Sequence, residues 1–232
     1  MKLREIFVTG GMGYLGRPLV AELLRRGHSV RSVVRPGSQT KLPAGCVPVI
    51  GNALDGESYR HQIQPGATFV QLTGVAHPSP SKSEEFRSVD LKSAIGAVRA
   101  AKAAGADHFV YVSVAHPAPV MKAYIAVRMQ CEALIRESGL NATILRPWYV
   151  LGPGHRWPYT LLPMYWLMER LPKTRAGARR LGLVTHKQMV NALLHAVENH
   201  SHGVQILEVP EIRGWGNICK PAPACSRENF FC

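Results

Sequence analysis

The chain has 232 residues, enough for one α/β domain with a sizeable core and too few for two large ones. It carries 28 Lys and Arg against 15 Asp and Glu, a formal charge of +13, which raises nucleic acid or an anionic membrane surface as partners. The basic residues are dispersed, however, with one concentration at Arg170, Lys173, Arg175, Arg179 and Arg180, and no recognised nucleic-acid motif or aromatic stacking pattern goes with them, so nucleic acid is not the expected partner.

The N-terminal stretch Glu5–Gly16 is the most informative. An apolar run, Ile6-Phe7-Val8, meets a glycine cluster and then the helical spacing of Leu15, Leu19, Val20, Leu23 and Leu24. Gly10, Gly13 and Gly16 form the motif, and Gly11, Gly13 and Gly16 form an alternative frame, G-x-G-x-x-G directly after a strand. The first glycine permits a tight turn, the second lets backbone approach a pyrophosphate, and the third lets the helix pack closely. Gly27 ends the helix and Val30–Val34 reads as the next strand, completing a βαβ unit. Its helix N-terminus, with free N–H groups and a favourable dipole, suits the phosphates of a dinucleotide.

Val47–Ile50 reads as a third strand, Ser58–Ile63 as a short helix and Thr68–Leu72 as a fourth strand. Leu91, Ala94, Ile95, Val98 and Ala101 mark a long helix that stops at Gly105, and His108–Ser113 follows as the most strand-like segment. Tyr124–Ser138 is an amphipathic helix with Val127, Cys131, Leu134 and Ile135 on one face, closed by Gly139. Ala142–Arg146 makes a sixth strand, and a helix over 188–198 and a strand over 204–209 complete the set. This alternation predicts an α/β fold with a doubly wound parallel sheet and helices on both faces. A ligand is then expected at the carboxyl ends of the strands, where the glycine loop, Thr73-Gly74, Ser113 and Pro147 fall.

Together these motifs resemble the short-chain dehydrogenase/reductase superfamily, in its extended and atypical branches of epimerase-like, NmrA-like and complex I-associated proteins. The resemblance runs over roughly residues 3 to 209. Thr9-Gly10-Gly11-Met12-Gly13-Tyr14-Leu15-Gly16 looks like the T-G-x-x-G-x-x-G cofactor loop, and Val112-Ser113 like the strand end bearing the family's serine. Tyr124-Ile125-Ala126-Val127-Arg128 looks like Y-x-x-x-K with arginine in the lysine position, and the segment from Leu145 to Gly154 like R-P-x-x-V-x-G-P-G. The resemblance implies a Rossmann core over 1–152 and a small substrate-capping region with the final helix and strand over 153–212, while the changed, cysteine-rich composition that follows reads as a disordered tail over 213–232. It implies cofactor contacts from Thr9, Gly10, Gly11, Met12, Gly13, Tyr14, Leu15, Gly16, Arg35, Asn52, Ala53, Leu72, Thr73, Gly74, Pro147, Trp148 and Val150. Ser113, Tyr124 and Arg128 become the catalytic set.

Arginine changes what that set can do. Spacing of four keeps Tyr124 and Arg128 on one helix face and supplies a permanent cation to favour a phenolate, yet a planar guanidinium is no copy of an ammonium. The plain alternative is that Arg128 pairs with Glu132 on an exposed stripe. An enzyme acting on a small carbonyl or hydroxyl compound, an oxidoreductase or an epimerase, is the leading expectation, and a dinucleotide-binding sensor or assembly factor without chemistry is the second.

At the end of the second strand, Arg35 stands where NAD-preferring sites place an acid, with Arg17 and Ser38 nearby, so NADP(H) is expected over NAD(H). Asn52 sits where relatives commonly use aspartate. Trp157 to Met168 is aromatic and aliphatic, which predicts a cap over an apolar substrate, with peripheral membrane contact through 157–170 and a homo-oligomer interface as competing readings. His77 and His116 lie in loops beside the expected site and are candidates to line the pocket, with plain solvated histidines as the alternative, while His195, His200 and His202 lack ligand spacing, so no metal is expected. No apolar run reaches the ~18–20 residues of a bilayer span, the first strand begins too early for a secretory leader, and the cysteines at 46, 131, 219, 225 and 232 form no C-x-x-C pair. A cytoplasmic protein is therefore expected.

Overall fold

The structure is a computed structural model and describes residues 3–152, 160, 162–172, 174–200 and 202–217. The expected tail beyond residue 217, and much of the expected cap before residue 162, lie outside the described residues.

The chain opens with β1 (Glu5–Thr9), α1 (Gly16–Arg25), β2 (Ser29–Val34), β3 (Val47–Ile50) and β4 (Thr68–Gln71). A one-turn α2 (Ser83–Glu85) runs through a π-helical turn, Phe86–Leu91, into α3 (Lys92–Ala103). Then follow β5 (His108–Val112), α4 (Lys122–Ser138), β6 (Ala142–Leu145), β7 (Tyr149–Leu151), α5 (Leu162–Arg170), α6 (Arg175–Arg180), β8 (Leu183–Thr185), α7 (His186–Glu198), β9 (Val204–Leu207) and α8 (Val209–Gly214).

Seven strands pair in the order β3-β2-β1-β4-β5-β6-β9, and every pairing is parallel. Parallel strands need covering on both faces, and two cores provide it. One packs Leu19, Val20 and Leu23 of α1 and Met189, Leu193 and Val197 of α7 against Ile6, Val8 and Val110. The other packs Ala94, Ala97 and Ala101 of α3 and Val127, Cys131 and Ile135 of α4 against Phe7, Phe69 and Phe109. The alternation of Ile6 and Val8 with Phe7 sends one strand's side chains to both cores.

The chain winds outward from β1 to β3, then returns and winds the other way from β4. The switch point lies between β1 and β4, where Thr9 is in register with Gln71, and a crevice opens beyond the carboxyl ends of those strands.

Two features differ from the sequence expectations. The segment around Ser58–Ile63 is two 3-10 turns, Gly56–Ser58 and Arg60–Gln62, because Asp55 accepts the Glu57 N–H and closes the first turn locally. The last strand stops at Leu207 and Val209 starts α8, since Pro210 at the head of a helix loses no ladder bond there. Order also continues past Arg213 to Asn217: the Trp215 ring stacks on His195 at 3.8 Å between centroids, and Asn191 Nδ2 donates to the Trp215 carbonyl at 2.9 Å. The small pair β7-β8 lies outside the main sheet, with Val150 in register with Val184.

Buried His108 ties the sheet to its edge: its Nε2 meets Thr143 Oγ1 at 3.0 Å and its ring stacks on His200. Burial first, then the charges of His200 and Arg4, push its pKa from 6.5 down to about 3. Below pH 6.5 the unfolded chain takes a proton that the fold refuses, so this contribution is whole above pH 6.5 and is lost as pH falls through about 3. Denaturant melts across that window should show the loss, and His108→Gln should flatten it.

Candidate functional site

The glycine loop is held by contacts that leave no room for side chains. Gly10 has φ +78°, and a Cβ there would stand 2.8 Å from the Leu72 carbonyl carbon and 2.9 Å from the Thr73 nitrogen, so the loop rests on the end of β4. A Cβ on Gly16 would overlap the Gly10 carbonyl oxygen and sit 2.8 Å from Gly11 Cα, which is the close approach of helix to loop. Gly13 is exposed and its N–H donates to the Gly10 carbonyl at 2.9 Å. Gly11 is buried, with its Cβ direction blocked by Ser32 Oγ and Val20. The working frame is therefore Gly10, Gly13 and Gly16, and Gly11 is a packing glycine.

α1 begins with no side-chain cap and no acid in its first turn, which leaves its N-terminal partial positive charge to the cleft in front of it. That cleft holds about 320 Å³. Gly10, Gly13, Tyr14, Leu15 and Gly16 line one side, Leu72, Gly74 and the segment Val75–Pro78 another, and Gln71, Val112 and Arg128 complete it. His77 carries left-handed backbone, φ 51°, a conformation that non-glycine residues adopt at a cost and that clusters at ligand sites. Thr9 is fully buried below the loop, its hydroxyl donating to the Gln71 carboxamide, whose Nε2 donates to Ser93 Oγ at 3.0 Å.

Arg128 is buried and does not pair with Glu132. Its Nη2 donates to Asp90 Oδ1 at 2.5 Å, and its Nη1 donates to the Tyr111 hydroxyl and the Val112 carbonyl at 2.9 Å each. The guanidinium carbon stands 5.0 Å from the centre of the Tyr124 ring, which packs on Phe86 at 4.9 Å. A Cβ on Gly74 would come within 2.8 Å of Arg128 Nη2, so that glycine admits the guanidinium to the cleft wall. Burial opposes the charge, but Tyr111, Tyr124 and Asp90 outweigh it and hold Arg128 protonated. Burial pushes the Tyr124 phenol up, with Arg128 offsetting part of the rise. At neutral pH Tyr124 is therefore a protonated phenol, not a phenolate.

Ser113 faces a second network. It is 3% exposed, and its hydroxyl donates to Glu132 Oε1 at 2.6 Å. Glu132 also receives Arg146, and Arg136 Nη2 at 3.0 Å, and Arg146 reaches on to Glu208 at 2.8 Å. Burial would raise the Glu132 pKa, but hydrogen bonds from Arg146 and Ser113 and the nearby positive charge bring it below its ordinary value. The exposed-stripe alternative thus fails for both partners: each charge is buried and paired elsewhere.

The remaining expected contacts lie around the cleft, and Tyr14 borders both it and a neighbouring groove. Met12, Tyr14 and Arg17 share an open groove with Pro18, Pro43 and His186. His186 Nε2 donates to the Tyr14 carbonyl at 2.9 Å and its ring meets the Tyr14 ring edge-on at 4.5 Å, so α7 and the Gly152 corner pin the loop. Arg35 is exposed at the end of β2, and no acid occurs between it and Gly51. Asn52 is exposed, with its side-chain oxygen accepting the Leu54 N–H at 3.0 Å, and Ala53 follows it. Pro147 is buried, while Trp148 and Val150 are half-buried against the α1-α7 core.

Sequence reading missed Asp90, Tyr111, Glu132 and Arg146 as members of these networks, and of the 75–78 wall it anticipated His77 alone. Asp90 stands on the buried face of this segment, one turn after Phe86 and one turn before Ala94, but a single acid there belongs to no motif. A buried arginine demands a counter-ion, and that demand was the signal available. Among the described residues no group of three His, Cys, Asp or Glu side chains could hold a metal ion, and no helix is long and apolar enough to cross a membrane.

A family model described as NAD(P)H-binding matches residues 10–161. A 3-diazoavenalumate denitrifying reductase of Streptomyces is 28% identical over 228 residues, covering 86% of this chain and 74% of that one. The photosystem II assembly factor Ycf39 of Synechocystis is 26% identical, covering 61% of this chain and 44% of that one. The chain spans 29% to 50% of the length of several other curated relatives. Among solved structures, the Bordetella bronchiseptica enzyme WbmH in complex with NAD+ shares the fold at a TM-score of 0.67 and 21% identity, covering 89% of this chain and 76% of that one.

Proposed function

The chain belongs to the NAD(P)H-binding family, and from that premise we propose that it is an NADPH-dependent reductase of short-chain dehydrogenase/reductase type, acting on a small, apolar carbonyl compound. The observation that carries the reading is the cleft at the uncapped N-terminus of α1, walled by Gly10, Gly13 and Gly16 on one side and by Arg128 on the other. Phosphate oxygens suit the first wall. The exposed Arg35, in a stretch free of carboxylates, supports a 2′-phosphate over a free ribose hydroxyl. Arg35→Ala should weaken NADPH about tenfold or more, the worth of one charge-assisted hydrogen bond, and leave NADH within about threefold. Fluorescence titration of both nucleotides against both proteins checks this, and an unchanged preference would remove the NADP assignment.

When bound, the dinucleotide supplies hydride. The protonated Tyr124 phenol is the proton donor to the carbonyl oxygen, Arg128 is the fixed cation beside its ring, and Asp90 and Tyr111 hold Arg128 in place. Ser113, committed to Glu132, takes a positioning role in this account rather than substrate contact.

A second reading rests on the same networks. Arg128 spends its charge on Asp90 and Ser113 its hydroxyl on Glu132, which suits a protein that keeps the cofactor without chemistry, as an assembly factor among its relatives suggests. Tyr124→Phe separates the two. A reductase should lose turnover about a hundredfold or more with nucleotide affinity retained, whereas a sensor has no turnover to lose and changes partner affinity with cofactor redox state.

A further inference from the structure

Helix α5 is amphipathic the wrong way round. Its single acid, Glu169, turns inward and accepts Arg213 Nη1 at 2.8 Å, while Met168 accepts the Thr174 hydroxyl through its carbonyl at 2.7 Å. Tyr165, Met168 and Glu169 form the half-buried stripe. The outward face carries Pro163, Met164, Trp166, Leu167 and Arg170, with Trp166 58% and Leu167 54% exposed, and Leu171 continues it. Large apolar side chains in such a run are not the ordinary furniture of a free surface. The Arg170 guanidinium lies over the Trp166 ring at 3.4 Å, and Arg175 and Arg179 of the adjoining α6 are exposed.

We propose that this face is a membrane-docking surface, which inserts Trp166 and Leu167 into an anionic lipid bilayer while Arg170, Arg175 and Arg179 meet the headgroups. Charge decides the occupant. Glu169 is the single acid between Thr160 and Thr185, and it is consumed by Arg213, so the patch offers arginines with no carboxylate to answer them. A second copy docked symmetrically would set arginine against arginine. An anionic headgroup layer above a hydrocarbon interior supplies both complements at once, and Trp beside Arg is the pairing that favours that boundary. The surface is independent of what the cleft binds.

The test is co-sedimentation of the full chain with vesicles of phosphatidylcholine alone or of phosphatidylcholine and phosphatidylglycerol in equal parts. Binding is expected to the anionic vesicles only, to fall with added salt, and to drop at least tenfold in Trp166→Ser/Leu167→Ser, as the loss of two buried apolar side chains requires. Those side chains are exposed in the free protein, so the thermal melt of the variant should match wild type. Lipids brominated in their chains should quench the wild type, with the quenching lost in Trp166→Phe. Absence of binding to anionic vesicles, equal binding to phosphatidylcholine alone, or binding unchanged in the double variant would each overturn the proposal. So would a dimer in solution that the double variant dissociates, since a second copy would then cover the face.

Discussion

Gly16→Ala should abolish dinucleotide binding and lower the melting temperature, although alanine is the better helix former by up to ~1 kcal/mol. Gly16 is the first residue of α1, so propensity alone argues for a more stable protein. The atoms that a Cβ would meet argue the opposite. They are the Gly10 carbonyl oxygen and Gly11 Cα, backbone that cannot swing aside as a side chain would. Relief requires α1 to retreat from the loop, which moves the helix N-terminus away from the phosphates and opens the contact of Gly10 with Leu72. Overpacking of this kind costs ~1–3 kcal/mol. Gly177→Ala is the control: it lies within α6, and its Cβ would have nothing within 4 Å, so the same substitution should be neutral or stabilising there. Chemical denaturation and nucleotide titration of the two variants read both halves. A Gly16→Ala protein that binds NADPH like wild type would show that the loop is not the phosphate cradle.

The second large effect is expected at Asp90. Asp90→Ala leaves the Arg128 guanidinium buried without its carboxylate, and breaking a buried pair in this way costs ~3–5 kcal/mol. The penalty belongs to the orphaned charge more than to the lost attraction. Adding Arg128→Met should therefore restore most of the stability, because an apolar side chain of similar length packs between Phe86, Tyr124 and Tyr111 without needing a partner. A double-mutant cycle in denaturant should give a coupling of several kcal/mol, and additive effects would show that the pair is not the structural unit described. The restored double variant also separates fold from function: it should be stable yet have lost the cation beside Tyr124.

Much of this arrangement was legible in the sequence because it rests on local signals. Gly27, Gly105 and Gly139 all take positive φ where helices end, and the apolar runs Ile6–Val8 and His108–Val112 became β1 and β5 of an all-parallel sheet. What stayed hidden depends on contacts distant in sequence or on broken periodicity. Nothing in the run from Phe86 to Leu91 announces a π-helical turn, and Asp90 drew no reading, because its tie to Arg128 spans 38 residues of sequence. The i+4 spacing of Arg128 and Glu132 suggested an ion pair, but α4 is buried on that side and each residue found a partner across the fold, Asp90 for one and Arg146 for the other. Likewise β7 and β8, three residues each, carry too little pattern to be read and pair with each other outside the main sheet.

The central claim is that the glycine cleft binds a dinucleotide and that Arg35 reads its 2′-phosphate. Titration of wild type with NADPH and NADH, followed by nucleotide fluorescence and repeated with Gly16→Ala, tests it most directly. Saturable one-to-one binding of NADPH is predicted, tighter than NADH and lost in Gly16→Ala. Saturation by neither nucleotide, or binding of NADPH that survives the alanine unchanged, would contradict the account.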